Sequence, residues 1–89
     1  MLDRSSVLGL LPGVAFRRVN AEGILLVLEE SQFLAVSDVG ARALELLDRR
    51  ATVGDVLDQL LSEYDVSPEQ LEADVLPFLE QLVAAHAVG

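Results

Sequence analysis

Residues 24–36 read Ile24-Leu25-Leu26-Val27-Leu28-Glu29-Glu30-Ser31-Gln32-Phe33-Leu34-Ala35-Val36, followed at once by Ser37-Asp38. Ile24 to Leu28 is a continuous apolar run, the pattern of a short strand covered on both faces. Glu29 to Gln32 is polar and short enough to be a hairpin loop. Phe33 to Val36 is then a second short strand, and Ser37 or Asp38 is a helix N-cap. The chain therefore turns from strand to helix at residue 37, and this boundary decides the fold class.

Upstream of the hairpin, Val14 to Val19 is a further strand candidate. Asn20-Ala21-Glu22-Gly23 joins it to Ile24, with Asn and Gly supplying turn chemistry. These three strands form an antiparallel meander with the middle one central. Downstream lie three helices. The first carries an apolar stripe of Val39, Ala43, Leu46 and Leu47 and ends near Asp48-Arg49-Arg50. Thr52 caps the second, with Asp55 in capping-box position and a stripe of Val53, Val56, Leu57, Leu60, Leu61 and Tyr64. Ser67 caps the third, with Pro68 at its first position, Gln70 completing the box and a stripe of Leu71, Val75, Phe78, Leu79 and Leu82. Pro77 lies within that stripe. A kink is expected there rather than a break, because the apolar spacing continues through it. The fold class is α+β: a three-stranded antiparallel sheet followed by three helices. Residues 1–12 have no clear period and read as an N-terminal arm, with Val7, Leu8, Leu10 and Leu11 covering the core. Residues 13–89 read as one domain.

Composition removes whole classes of function. The chain has 89 residues, 52% of them hydrophobic and none of them Cys. A core is affordable, and disulfide frameworks, thiolate zinc sites and cysteine nucleophiles are excluded. The longest charge-free apolar stretch, Val7 to Phe16, is broken by Gly9, Pro12 and Gly13, whereas a membrane span needs about 20 residues. The first residues lack the basic region and long apolar region of a secretory signal. A cytoplasmic protein without a membrane partner is expected, and the ends read as those of a discrete protein. The net charge is −9. Nearly all of it falls after residue 44, and no Arg or Lys follows Arg50. Nucleic-acid binders carry a basic face. This chain points instead to a basic or neutral partner.

Catalytic groups do not converge. His86 is the sole His and has no ligating or proton-transfer partner at helical spacing; it reads as a helix-end residue. Asp55/Asp58 and Glu69/Glu72 are i, i+3 carboxylate pairs that would need a third oxygen-rich segment to hold a metal. They read as solvated faces. The glycines form neither a dinucleotide fingerprint nor a P-loop, and Ser5-Ser6 has no local base. No enzyme activity, cofactor or metal is expected.

The informative features are an edge and a helix face. In the meander the Val14–Val19 edge is guarded by Arg17 and Arg18, while Phe33 to Val36 carries no charge. Such an edge is covered by the arm, sealed by a second copy, or kept open for a partner strand. The third helix has an apolar zone of about 160°, counting Leu76, Leu79 and Val83, wider than the roughly 100° a surface helix needs. It is either a broad core face or the wall of a groove, with Asp74 and Gln81 on the opposite flank.

This order resembles the PqqD-like family, the recognition elements for precursors of ribosomally synthesised and post-translationally modified peptides (RiPPs). The resemblance covers residues 13–88. It is carried by the hairpin Ile24–Glu29 and Phe33–Val36, by Val39-Gly40-Ala41-Arg42-Ala43-Leu44-Glu45-Leu46-Leu47-Asp48, by Thr52-Val53-Gly54-Asp55-Val56, and by the run from Glu72 to Leu82. It implies a winged helix-turn-helix-like, non-catalytic domain. Such a domain binds the leader of a precursor peptide as an added strand and presents it to a modifying enzyme, such as a radical SAM enzyme or a leader peptidase. Carried over, Phe33, Leu34, Ala35 and Val36 are the pairing strand, and Leu71, Asp74, Val75, Phe78 and Leu82 line the helix side. Asp74 would supply charge and Phe78 an apolar pocket, while Leu71, Val75 and Leu82 are also core candidates. Two other readings share the architecture. One is a DNA-binding winged helix, disfavoured because the third helix carries Glu69, Glu72, Asp74 and Glu80 against no Arg or Lys. The other is a dimerisation module using the same edge, so the chain is expected as a monomer or a homodimer.

Overall fold

The computed structural model describes residues 2–28 and 31–89. Five strands and three helices follow in the order β1 (Val7–Leu8), β2 (Val14–Val19), β3 (Glu22–Val27), β4 (Gln32–Val36), α1 (Asp38–Leu47), β5 (Ala51–Thr52), α2 (Val53–Glu63) and α3 (Pro68–Ala84). The sheet β2-β3-β4 is antiparallel with β3 central, and β1 and β5 form a second, two-stranded antiparallel sheet. The β2–β3 turn is tighter than expected. Asn20, at φ 57°, makes it with Ala21, and Glu22 and Gly23 already belong to β3. Of the polar loop expected over Glu29 to Gln32, Glu29 and Glu30 lie outside the described residues, Ser31 is a turn residue, and Gln32 already belongs to β4, opposite Val27.

β3 departs from the two-sided burial expected of it. Gly23, Leu25 and Val27 are buried, Leu26 is half-buried, and Ile24 is 45% exposed. The helices pack on one face of the sheet only, so an unbroken apolar run is split by the pleat into an inner and an outer row.

The three caps form where expected. The Oγ of Ser37 accepts from Gly40 N–H at 3.2 Å, the Oγ1 of Thr52 from Asp55 N–H at 3.0 Å, and the Oγ of Ser67 from Gln70 N–H at 3.2 Å. The buried stripe of α1 is rotated from the expected one. Gly40, Ala41, Ala43, Leu44 and Leu47 face the core, and Val39 and Leu46 are half-buried. α3 runs unbroken through Pro77. Pro77 and Ala73 are both exposed, so the Ala73 carbonyl that loses its helical donor faces solvent rather than the core.

Residues 7–11 are tied into the domain. β1 pairs with β5, Gly9 and Gly89 exchange backbone hydrogen bonds of 3.2 and 3.0 Å, and Leu11 N–H donates to Ala87 at 3.1 Å. Leu8 and Val88 both belong to the core, together with Leu25, Leu44, Leu57, Leu60, Leu79 and Leu82. Among the described residues no helix is long and apolar enough to cross a membrane.

Candidate functional site: an open strand edge beside a groove

The hydrogen-bond polarity of β4 follows from one contact. Leu28 N–H donates to the Gly13 carbonyl at 3.0 Å, so Gly13 and Leu28 are a hydrogen-bonded pair. Bonded pairs alternate along an antiparallel ladder. With Val14 opposite Val27 and Ala15 opposite Leu26, Glu22, Ile24 and Leu26 bond to β2, and Gly23, Leu25 and Val27 bond to β4. Their partners there are Val36, Leu34 and Gln32. The N–H and C=O groups of Phe33 and Ala35 therefore point away from β3, to a side where no described strand pairs. Side chains divide in the same way. Leu34 is half-buried and Val36 is buried against the helices; Ala35 is exposed and Phe33 is 71% exposed on the outer face. Of the four residues expected to pair with a partner strand, two offer free backbone and two complete the domain's own ladder.

The opposite edge is built differently from the expected charged guard. Arg18 turns inward, where its guanidinium bonds Asp38 and reaches Glu45 at 3.4 Å. Asp38 also accepts from the Tyr64 hydroxyl at 3.0 Å. This links β2, the start of α1 and the end of α2. Burial, with Asp38 next to it, holds the Tyr64 phenol above its ordinary pKa, so it stays a protonated donor. Arg17 remains exposed on the outer face.

At the C-terminal end of β4 a groove of about 510 Å³ opens between the start of α1, the α2–α3 connection and α3. Leu71, Val75 and Phe78 line it from α3, one turn apart, as their i, i+4, i+7 spacing dictates, and Asp74 stands on the same wall. The structure thus brings together four of the five expected helix residues. Leu82 does not join them; it is buried in the core one turn beyond Phe78. Phe78 is half-buried and lies over Gly40, where an added Cβ would stand 3.1 Å from its Cζ. Gly40 is thus what lets the tip of the ring approach the first turn of α1 so closely.

Sequence reasoning missed the other wall: Ser37, Val39 and Gly40 from α1, and Tyr64, Asp65 and Val66 from the connection. The one available signal was a glycine in the first turn of a helix, a place where close approach of another side chain explains the choice. Asp65 and Asp74 bring two carboxylates to the groove, and Gln70 Nε2 donates to Asp74 Oδ1 at 3.0 Å. Among the described residues no group of three or more His, Asp or Glu is placed to hold a metal.

Fold and site define a small α+β domain with an open sheet edge next to a helix-walled groove. The family described as coenzyme PQQ synthesis protein D (PqqD) matches residues 22–88, and the chain belongs to it. Among solved structures, the PqqD truncation of Methylobacterium extorquens PqqCD is 30% identical, with a TM-score of 0.81, covering 100% of this chain and 95% of that one. That protein is described as a functional, stand-alone RiPP recognition element. TbiB1, solved in complex with the TbiA(beta) leader peptide, has the same fold at 24% identity and a TM-score of 0.80, covering 90% of this chain and 93% of that chain. A comparison with curated proteins finds no match.

Proposed function

We propose that this domain is a non-catalytic, cytoplasmic peptide-binding module. It takes the leader of a ribosomally made precursor peptide as an added strand on β4 and holds it for a modifying enzyme, such as a radical SAM enzyme or a leader peptidase. The observation that carries this reading is the polarity of β4. Among the described residues, the N–H and C=O groups of Phe33 and Ala35 have no strand partner, no charge lies on Phe33 to Val36, and a groove opens where that edge ends. Main-chain bonds to the edge would supply affinity, and side-chain pockets specificity. The relatives described as a recognition element and as a leader-peptide complex support the same use of the fold.

The test is a titration of the isotope-labelled domain with the leader of a precursor encoded beside it, followed by amide shifts. Phe33 and Ala35 should move most, with Val39, Gly40, Asp74 and Phe78 moving alongside. Shifts confined to the outer sheet face or to the β1–β5 side would refute strand addition. The open edge also suits a second copy of the chain, and sedimentation with and without the peptide separates this reading: an edge-paired dimer dissociates as peptide binds.

A further inference from the structure

The groove's charge narrows the class of peptide it takes, an inference that rests on the strand-addition reading above. Its floor is apolar, formed by Val39, Leu71, Val75 and Phe78, and its polar boundary includes Asp65 and Asp74. Gln70 gives Asp74 one neutral hydrogen bond, which leaves the negative charge in place. The ion pairs formed among the described residues are Arg4–Asp58, Arg18 with Asp38 and Glu45, and Arg42 with Glu45 and Glu63. None involves Asp65 or Asp74. The start of α1 also borders the groove and carries about half a positive charge. Ser37 Oγ takes up one of its N–H groups, on Gly40, and what remains is smaller than the two full charges of Asp65 and Asp74. The groove is therefore left net negative.

Register sets which side chains enter. In a strand added to β4, residues opposite Phe33 and Ala35 make the backbone bonds and point their side chains to the outer face. Residues opposite Leu34 and Val36 point toward the helices. The groove lies beyond Val36, alongside Ser37, so the groove-facing residue two positions past Val36 reaches it. A long basic side chain fits there: its methylenes lie along Phe78 and Val75 while its head reaches the carboxylates.

We propose that the groove selects extended peptides with an apolar residue opposite Val36 and a Lys or Arg two positions further on the Ser37 side, its charge meeting Asp65 and Asp74. The probe is a phage-displayed library of random peptides selected on the immobilised domain, with Ala35→Pro as the control for strand addition. Selected peptides should depend on Ala35 and be enriched in Lys or Arg two positions from an apolar residue. The Asp65→Asn/Asp74→Asn variant should lose that enrichment and bind the selected peptides about two- to tenfold more weakly. The Asp65→Lys/Asp74→Lys variant should select acidic peptides instead. Peptides that need Ala35 but show no charge bias, or keep the same bias on the Asn variant, would overturn the charge proposal and leave strand addition standing. Failure to enrich any peptide above the Ala35→Pro control would overturn both.

Discussion

Two proline substitutions one residue apart on β4 should have opposite consequences. Pro cannot donate a ladder hydrogen bond, and an edge strand accepts it only where the N–H faces outward. Leu34 N–H belongs to the bonded pair with Leu25, whose side chain is fully buried. Leu34→Pro removes that donor and leaves the Leu25 carbonyl without a partner, at a cost of about 1–3 kcal/mol. Part of a half-buried Leu side chain is lost as well, bringing the total to about 2–4 kcal/mol. Ala35 is exposed, and its N–H leaves no partner behind. Ala35→Pro should cost less than about 1 kcal/mol, and the residue before it is already in the extended conformation Pro requires. Urea denaturation of both variants reads the difference in midpoint. Ala35→Pro should melt near the wild type yet lose peptide binding, whereas Leu34→Pro should be strongly destabilised. Equal losses, or a larger loss for Ala35→Pro, would refute the assigned ladder polarity and with it the assigned edge.

Gly40→Ala should leave stability unchanged or raise it by up to about 1 kcal/mol, since Ala is the better helix former. The ring tip of Phe78, 3.1 Å from the new Cβ, can swing into the groove, so peptide affinity should fall while the melting temperature holds. A drop in melting temperature of several degrees would mean the ring is locked. Ser67→Ala removes the acceptor for Gln70 N–H at the start of α3 and should cost about 1 kcal/mol in thermal or chemical unfolding. Arg42, with Gln59, holds the Glu63 carboxyl below its ordinary pKa. The folded state therefore prefers it ionised, and its contribution is present above the ordinary carboxylate range and lost as pH falls through the lowered value. The stability gap between wild type and Glu63→Gln should accordingly shrink from neutral pH toward strong acid, and a pH-independent gap would contradict the pairing.

The sequence by itself determined the element order, because its signals are local. Cap residues at Ser37, Thr52 and Ser67 bond within their own first turn, and the apolar spacing of α3 persists through Pro77 without reference to the rest of the chain. It also marked Phe33 to Val36 as an uncharged edge and Leu71, Val75, Phe78 and Leu82 as one apolar helix face, while Asp74 joined that face only through the family resemblance. What it left open depended on which surfaces meet. The run Ile24 to Leu28 looks alike whether one face of the sheet is covered or both, and only the packing of the helices on a single face divides Leu25 from Ile24. Burial of Leu82 rather than exposure in the groove depends on where α3 crosses the core. The second wall, from Val39 to Gly40 and from Tyr64 to Val66, comes from residues 24 or more positions apart that only the fold brings together. The outward N–H of Ala35 is likewise a product of register. A one-residue slip of β4 against β3 would exchange it with Leu34, and burial of Leu34 and Val36 against the helices is what forbids that slip.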